Sequence, residues 1–158
     1  MHLEPRDRAF IEESFRLLAA DSHGAAVCFY QHLFAISPDA RALFVIDTER
    51  QGSKMASTLA VIVNLIGNWG LLRGIVEDLA LRHTAYGVTT AHYEIGGQAL
   101  QAMLRDRLGP RWSPDIAVAW AKAYGAIMAA MVHAANRAAV EADDQVEDHS
   151  ARRLLGLR

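Results

Sequence analysis

The chain has 158 residues, 52% of them apolar and 22% charged, with a formal net charge of −2. That length supports one domain with a real core, and the charge leaves no basic footprint for nucleic acid or an anionic membrane. The single cysteine, Cys28, excludes an internal disulfide and any two-cysteine attachment of a cofactor.

The start, Met1 to Arg8, is charged and is not read as a leader peptide. No apolar run reads as a membrane span, so the expected setting is the cytoplasm. Four prolines and no sustained alternation predict an all-α fold.

A first helix is expected over about Arg6–Ala20, with Phe10, Ser14, Leu17 and Leu18 on one face. Asp21-Ser22-His23-Gly24 is turn chemistry that can cap a second helix, expected to reach about Ala35. Val27, Cys28, Tyr30, Leu33 and Phe34 give it a wide apolar surface, so deep burial is expected. Tyr30 there is either a core aromatic bonded to a carbonyl or a hydroxyl aimed into a ligand pocket.

Ser37-Pro38-Asp39 starts a short helix ending in Leu43-Phe44. A long helix follows the polar stretch Asp47–Gln51. It carries Met55, Leu59, Ile62, Val63 and Ile66 on one face and closes at Gly67-Asn68-Trp69-Gly70. The next helix holds Leu72, Ile75, Val76, Leu79 and Ala80 at buried-face spacing, and His83 extends that face one turn before Gly87. A neutral imidazole there can ligate haem iron or sit as a core histidine bonded to a carbonyl.

Thr89 or Thr90 can cap a helix with Ile95, Leu100, Met103 and Leu104, which stops at Gly109-Pro110. Ser113-Pro114-Asp115 opens an alanine-rich last helix reaching about Val140, with Trp120, Tyr124, Ile127, Met128, Met131 and Val132 inward. Residues 142–158 read as a charged, frayed or partly helical tail after a domain of residues 1–141. About seven unequal helices around one pocket describe a globin fold better than a plain bundle of matched helices.

Three motifs carry a family resemblance. They are Phe29-Tyr30-Gln31-His32-Leu33-Phe34 with Ser37-Pro38 and Leu43-Phe44, then Arg82-His83 with Gly87-Val88 and Ala91-His92-Tyr93, then Ala119-Trp120-Ala121-Lys122-Ala123-Tyr124-Gly125. In this order the chain resembles bacterial single-domain haemoglobins and the haem domain of flavohaemoglobins. The resemblance spans about Phe10 to Met131.

It implies haem b as cofactor, with His83 as the proximal iron ligand and Phe44 packed on the haem. Tyr30 takes the distal tyrosine position, Gln51 the distal polar position and Met55 the apolar position one turn on. Lys54 competes for the place of Gln51, because the segment after Phe44 varies in length. Tyr93 matches the tyrosine that supports the proximal histidine. Phe29, Phe34, Leu79 and Val88 complete the expected lining.

The sequence departs from the family in two ways. The glutamate that joins the proximal histidine and tyrosine is matched by Ala135, leaving Glu141 as the carboxylate that could take its role. The residues after the last helix leave no room for a flavin- or NAD-binding unit, so no reductase domain is expected within this sequence. The resemblance therefore implies reversible oxygen binding at a five-coordinate iron, with nitric oxide and carbon monoxide as further ligands. Nitric oxide dioxygenation would need an external reductase. A gas sensor acting through a partner protein is the alternative.

His92 and Tyr86 read as surface or cofactor-edge neighbours. His2, His23, His32, His133 and His149 lack the paired helical spacing of a metal site and read as solvated.

Overall fold

A computed structural model describes residues 3–43 and 48–154, with side chains for 3–43 and 52–144. The described residues form six α-helices: α1 (Pro5–Ala19), α2 (Ser22–Ile36), α3 (Thr48–Leu65), α4 (Trp69–Ala85), α5 (Thr90–Leu108) and α6 (Pro114–Leu154). Two 3-10 turns, Pro38–Leu43 and Gly109–Arg111, join them. The all-α expectation holds, and Phe44 lies outside the described residues.

The helix starts follow from local chemistry. Pro5 opens α1 where no intrahelical N–H is needed. Asp21 caps α2 by accepting from Gly24 N–H at 2.9 Å. Asn68 caps α4 through Leu71 N–H at 3.2 Å. The turn expected at 67–70 is therefore shorter than the sequence suggests, because Trp69 and Gly70 already belong to α4.

The buried face of α1 is Asp7, Ile11, Ser14 and Leu18 rather than one through Phe10 and Leu17. Leu17 is 37% exposed, and the apolar count alone gave it too much weight. Asp7 tolerates burial because Lys122 Nζ donates to it at 2.7 Å. Nor is α2 apolar surface buried all round. It packs through Ala25, Ala26, Tyr30 and Leu33, and leaves Val27 and Ile36 exposed. The small side chains let α3 approach: a Cβ at Gly52 would stand 3.1 Å from that of Ala26.

α2 packs on α3 and α5, while α6 packs on α4, α1 and α5. The main core sets Ile11 and Leu18 of α1 against Leu100, Met103 and Leu104 of α5 and Trp120 of α6. Each such large side chain contributes about 1.5–3 kcal/mol through its burial. α5 thus packs on both α2 and α6, and it carries residues of all three apolar clusters among the described residues.

One buried polar relay crosses that core. Trp120 Nε1 donates to Ser14 Oγ at 2.8 Å, and Ser14 Oγ donates to the Phe10 carbonyl at 2.6 Å. Ser14→Ala would strand the indole N–H, so a loss of about 1–3 kcal/mol is expected by urea denaturation. An unchanged midpoint would mean that the indole finds another acceptor.

α6 is longer than its apolar periodicity predicts and runs through to Leu154. By length and composition the helix over residues 114–144 could also cross a membrane, since an 18-residue window within it has a mean hydropathy of 1.3, so the reading that no run qualifies is corrected. Alanine raises the hydropathy. One face of the helix buries Ala119, Trp120, Ala123, Met131 and Ala134 in the core clusters.

Candidate functional site

The end of α4 determines how His83 is held. Gly87 takes φ +81°, a conformation that suits glycine. Gly87 N–H donates to Thr84 O at 2.9 Å and Val88 N–H to His83 O at 3.0 Å. This double bond pattern is a Schellman stop, with His83 three residues inside the cap. The imidazole is tied as well: His83 Nδ1 lies 2.9 Å from Leu79 O. A carbonyl can only accept, so Nδ1 carries the proton and Nε2 keeps its lone pair. Burial pushes the His83 pKa below the usual histidine value and favours the neutral ring.

Tyr93 stacks on that ring, with centroids 5.9 Å apart and planes at 23°. Around Tyr93 lie Leu72, Val76, Leu79, Ala80, Val88 and Met131. The Tyr93 hydroxyl is buried and has no hydrogen-bond partner among the described residues. Glu141 does not serve it: that carboxylate is 65% exposed and lies 3.7 Å from Arg137. Tyr93→Phe therefore removes an unsatisfied group, and the thermal midpoint is expected to hold or rise. A fall of several degrees in the melt would show that the hydroxyl is bonded.

Tyr93 is placed by Tyr124, an inward-facing residue of the third family motif whose part here the sequence does not show. Tyr124 Oη donates to the Tyr93 carbonyl at 2.5 Å. The tyrosine lies on Gly96 and Gly97: a Cβ at Gly96 would meet its Oη at 2.8 Å, and one at Gly97 its Cε1 at 2.8 Å. Two adjacent glycines inside a helix were the available signal, since each costs helix stability unless something lies against it.

The second cluster joins Tyr30 and Leu33 to Ala99, with Phe29, Phe34, Met55 and Ile95 packed against it. Tyr30 is 7% exposed. The Phe29 ring meets it edge-on at 5.2 Å and the Phe34 ring stacks at 5.9 Å. Burial pushes the Tyr30 pKa up to about 12, so the hydroxyl remains a proton donor at neutral pH. The Arg41 guanidinium covers the Phe34 ring at 4.5 Å.

Phe29, Tyr30, Phe34 and Met55 thus meet in one cluster, while Leu79, Val88 and Tyr93 meet in the other beside His83. Lys54 is exposed, and the side chain of Gln51 lies outside the described residues. Tyr86 is 56% exposed. His92 serves the start of α5, where its Nδ1 accepts from Thr89 N–H at 3.0 Å. His23 and His133 are exposed as expected. His32 is not simply solvated, because its Nε2 lies 2.8 Å from Asp106.

Comparison with known proteins bears on this arrangement. The sequence pattern of the globin family matches residues 27–131, which include Tyr30, His83 and Tyr93. A flavohemoprotein of Bordetella pertussis is 31% identical over 128 residues, covering 78% of this chain. The match takes in 31% of that relative, so the chain spans about a third of the length of the flavohemoproteins. An anaerobic nitrite reductase of Oryza sativa subsp. indica is 26% identical, over 80% of this chain and 91% of its own length.

Among solved structures, the engineered carbene transferase RmaNOD, assigned as a nitric oxide dioxygenase from Rhodothermus marinus, superposes with a TM-score of 0.79 at 27% identity. It covers 89% of this chain and 99% of its own. A bacterial globin from Campylobacter jejuni gives 0.75 at 20% identity, over 85% of this chain and 97% of its own, and supports the fold alone. With the family pattern running unbroken from α2 into α6, the chain belongs to the globin family, where it is similar to bacterial globins and to the haem domain of flavohaemoglobins.

Proposed function

We propose that the chain binds haem b through His83, takes up oxygen reversibly, and converts nitric oxide to nitrate when an external reductase in the cytoplasm supplies electrons. The family implies haem and small gas ligands. The observation that carries the rest is the His83 ring, whose Nδ1–H is committed to Leu79 O and whose Nε2 lone pair is left for a metal. The residues fit the group: His83 is a neutral imidazole with a free Nε2, and Tyr30 is a protonated tyrosine in an apolar cluster.

Haem supplies an iron that takes diatomic gases, and the chain supplies everything around it. His83 would hold that iron, and Leu79 O sets the ring's orientation and tautomer. Tyr30 holds a proton toward a ligand that gains negative charge, with Gln51 as the second donor. Phe29, Phe34 and Met55 keep water from competing for those donors. Glutamine is a poor iron ligand, so the reduced iron is expected to be five-coordinate.

The function is tested by following nitric oxide consumption and nitrate yield in the presence of oxygen and an added reductase. Sustained, oxygen-dependent nitrate formation supports dioxygenation. Oxygen binding with no nitric oxide consumption would overturn it in favour of gas sensing through a partner protein.

The proximal side carries a further expectation. In the family a carboxylate makes the histidine more electron-rich through the tyrosine, whereas here Ala135 stands at the matching position and Tyr93 has no partner among the described residues. By resonance Raman the iron–histidine stretch is expected below that of flavohaemoglobins, with weak peroxidase chemistry. A stretch as high as theirs would mean that another carboxylate reaches Tyr93.

A further inference from the structure

Cys28 and His32 stand one helical turn apart on α2, and Asp106 reaches them from α5. Their sulfur, nitrogen and oxygen ligand atoms all lie within 4.8 Å of one another. Cys28 and His32 are half-buried, and Asp106 is exposed. We propose that these three side chains form a zinc site, with water as fourth ligand, that clamps α2 to α5 outside the globin pocket.

The ligand chemistry selects the metal. One thiolate, one imidazole and one carboxylate suit a borderline-soft ion in tetrahedral geometry and do not suit calcium or magnesium. Bonds of about 2.0–2.3 Å put neighbouring ligand atoms about 3.3–3.7 Å apart. The His32–Asp106 contact, now 2.8 Å, would open by roughly half an ångström. Both side chains reach solvent, at 28% and 46% exposure, which gives them room to move and leaves a face for water. Arg105 lies 3.6 Å from Asp106 Oδ1, whereas it is Oδ2 that faces His32.

The site is separate from the gas pocket. Tyr30 lies two residues from both Cys28 and His32, about 200° round the helix, and so faces the other way. The sequence reading sought histidine pairs at helical spacing, and it missed a cysteine–histidine pair completed from another helix.

The test uses untagged, haem-loaded protein stripped with chelator and then dialysed against micromolar zinc chloride. Mass spectrometric metal analysis is expected to find one zinc per chain. X-ray absorption at the zinc edge is expected to show one sulfur at about 2.3 Å. Cys28→Ala, His32→Asn and Asp106→Asn should each weaken binding at least tenfold while the haem spectrum stays unchanged. A measurement without variants completes the test: zinc should slow alkylation of Cys28 by iodoacetamide. The proposal is overturned if the unmutated protein retains no zinc, if the zinc has no sulfur neighbour, if Cys28→Ala and His32→Asn bind it as tightly as the parent, or if alkylation is unaffected.

Discussion

Replacing His83 by alanine is expected to strip most of the haem from the protein during purification, with imidazole added in solution restoring the bound spectrum. The expectation rests on more than the presence of a histidine. The Schellman stop at Gly87 holds the His83 backbone, and the Leu79 carbonyl holds Nδ1, so Nε2 is presented in one direction. A ligand so held loses little freedom when it binds, whereas a free imidazole must be captured from solution. A His83→Ala variant that kept an imidazole-ligated spectrum with no imidazole added would show that another histidine binds the iron. Among the described residues the candidates are His23, His32, His92 and His133. His23 and His133 are exposed, His32 is paired with Asp106, and His92 is held at the start of α5.

Tyr30→Phe is expected to raise the oxygen dissociation rate by roughly ten- to a hundredfold. A hydrogen bond to a charged acceptor contributes about 1.5–3 kcal/mol, and about 1.4 kcal/mol corresponds to one decade. The substitution keeps the ring that Phe29 and Phe34 grip and deletes only the donor. Those rings already order the tyrosine, so little entropy offsets its bond. Gln51→Leu is expected to raise the rate less, since the family resemblance makes Gln51 the second donor. Carbon monoxide release should change less than oxygen release in both variants, because its outer atom carries less negative charge. Stopped-flow release from the three proteins measures this, and an unchanged rate in Tyr30→Phe would make the tyrosine a core residue only.

What was legible in the sequence was whatever a single helix decides. Apolar spacing placed Ile62, Val63 and Ile66 on one face, and all three are buried. Turn and capping residues placed most helix starts, and the apolar surface of one helix carried Tyr30 and Phe34, with Phe29 added by the family resemblance. What escaped depends on a second helix. Asp7 looks like a surface residue until Lys122 arrives from α6. His32 looks solvated until Asp106 comes across from α5. Val27 looks like core until the packing turns the alanines inward instead. The roles of Phe44 and Gln51 rest on the family resemblance, since the described side chains include neither.

The seat of Tyr124 on Gly96 and Gly97 restricts the order in which this lineage could accept substitutions. An alanine at Gly96 collides with the hydroxyl oxygen alone within 3 Å, so it becomes acceptable once Tyr124 has become phenylalanine. An alanine at Gly97 collides with ring carbon Cε1 and crowds Cδ1, both of which phenylalanine keeps, so that route stays closed until the aromatic itself is lost. The first path gives up the bond to the Tyr93 carbonyl. The second removes the wedge between α5 and α6. Two neighbouring glycines that look interchangeable in the sequence therefore have different histories open to them: position 96 can drift after one change elsewhere, and position 97 is held for as long as an aromatic stands at 124.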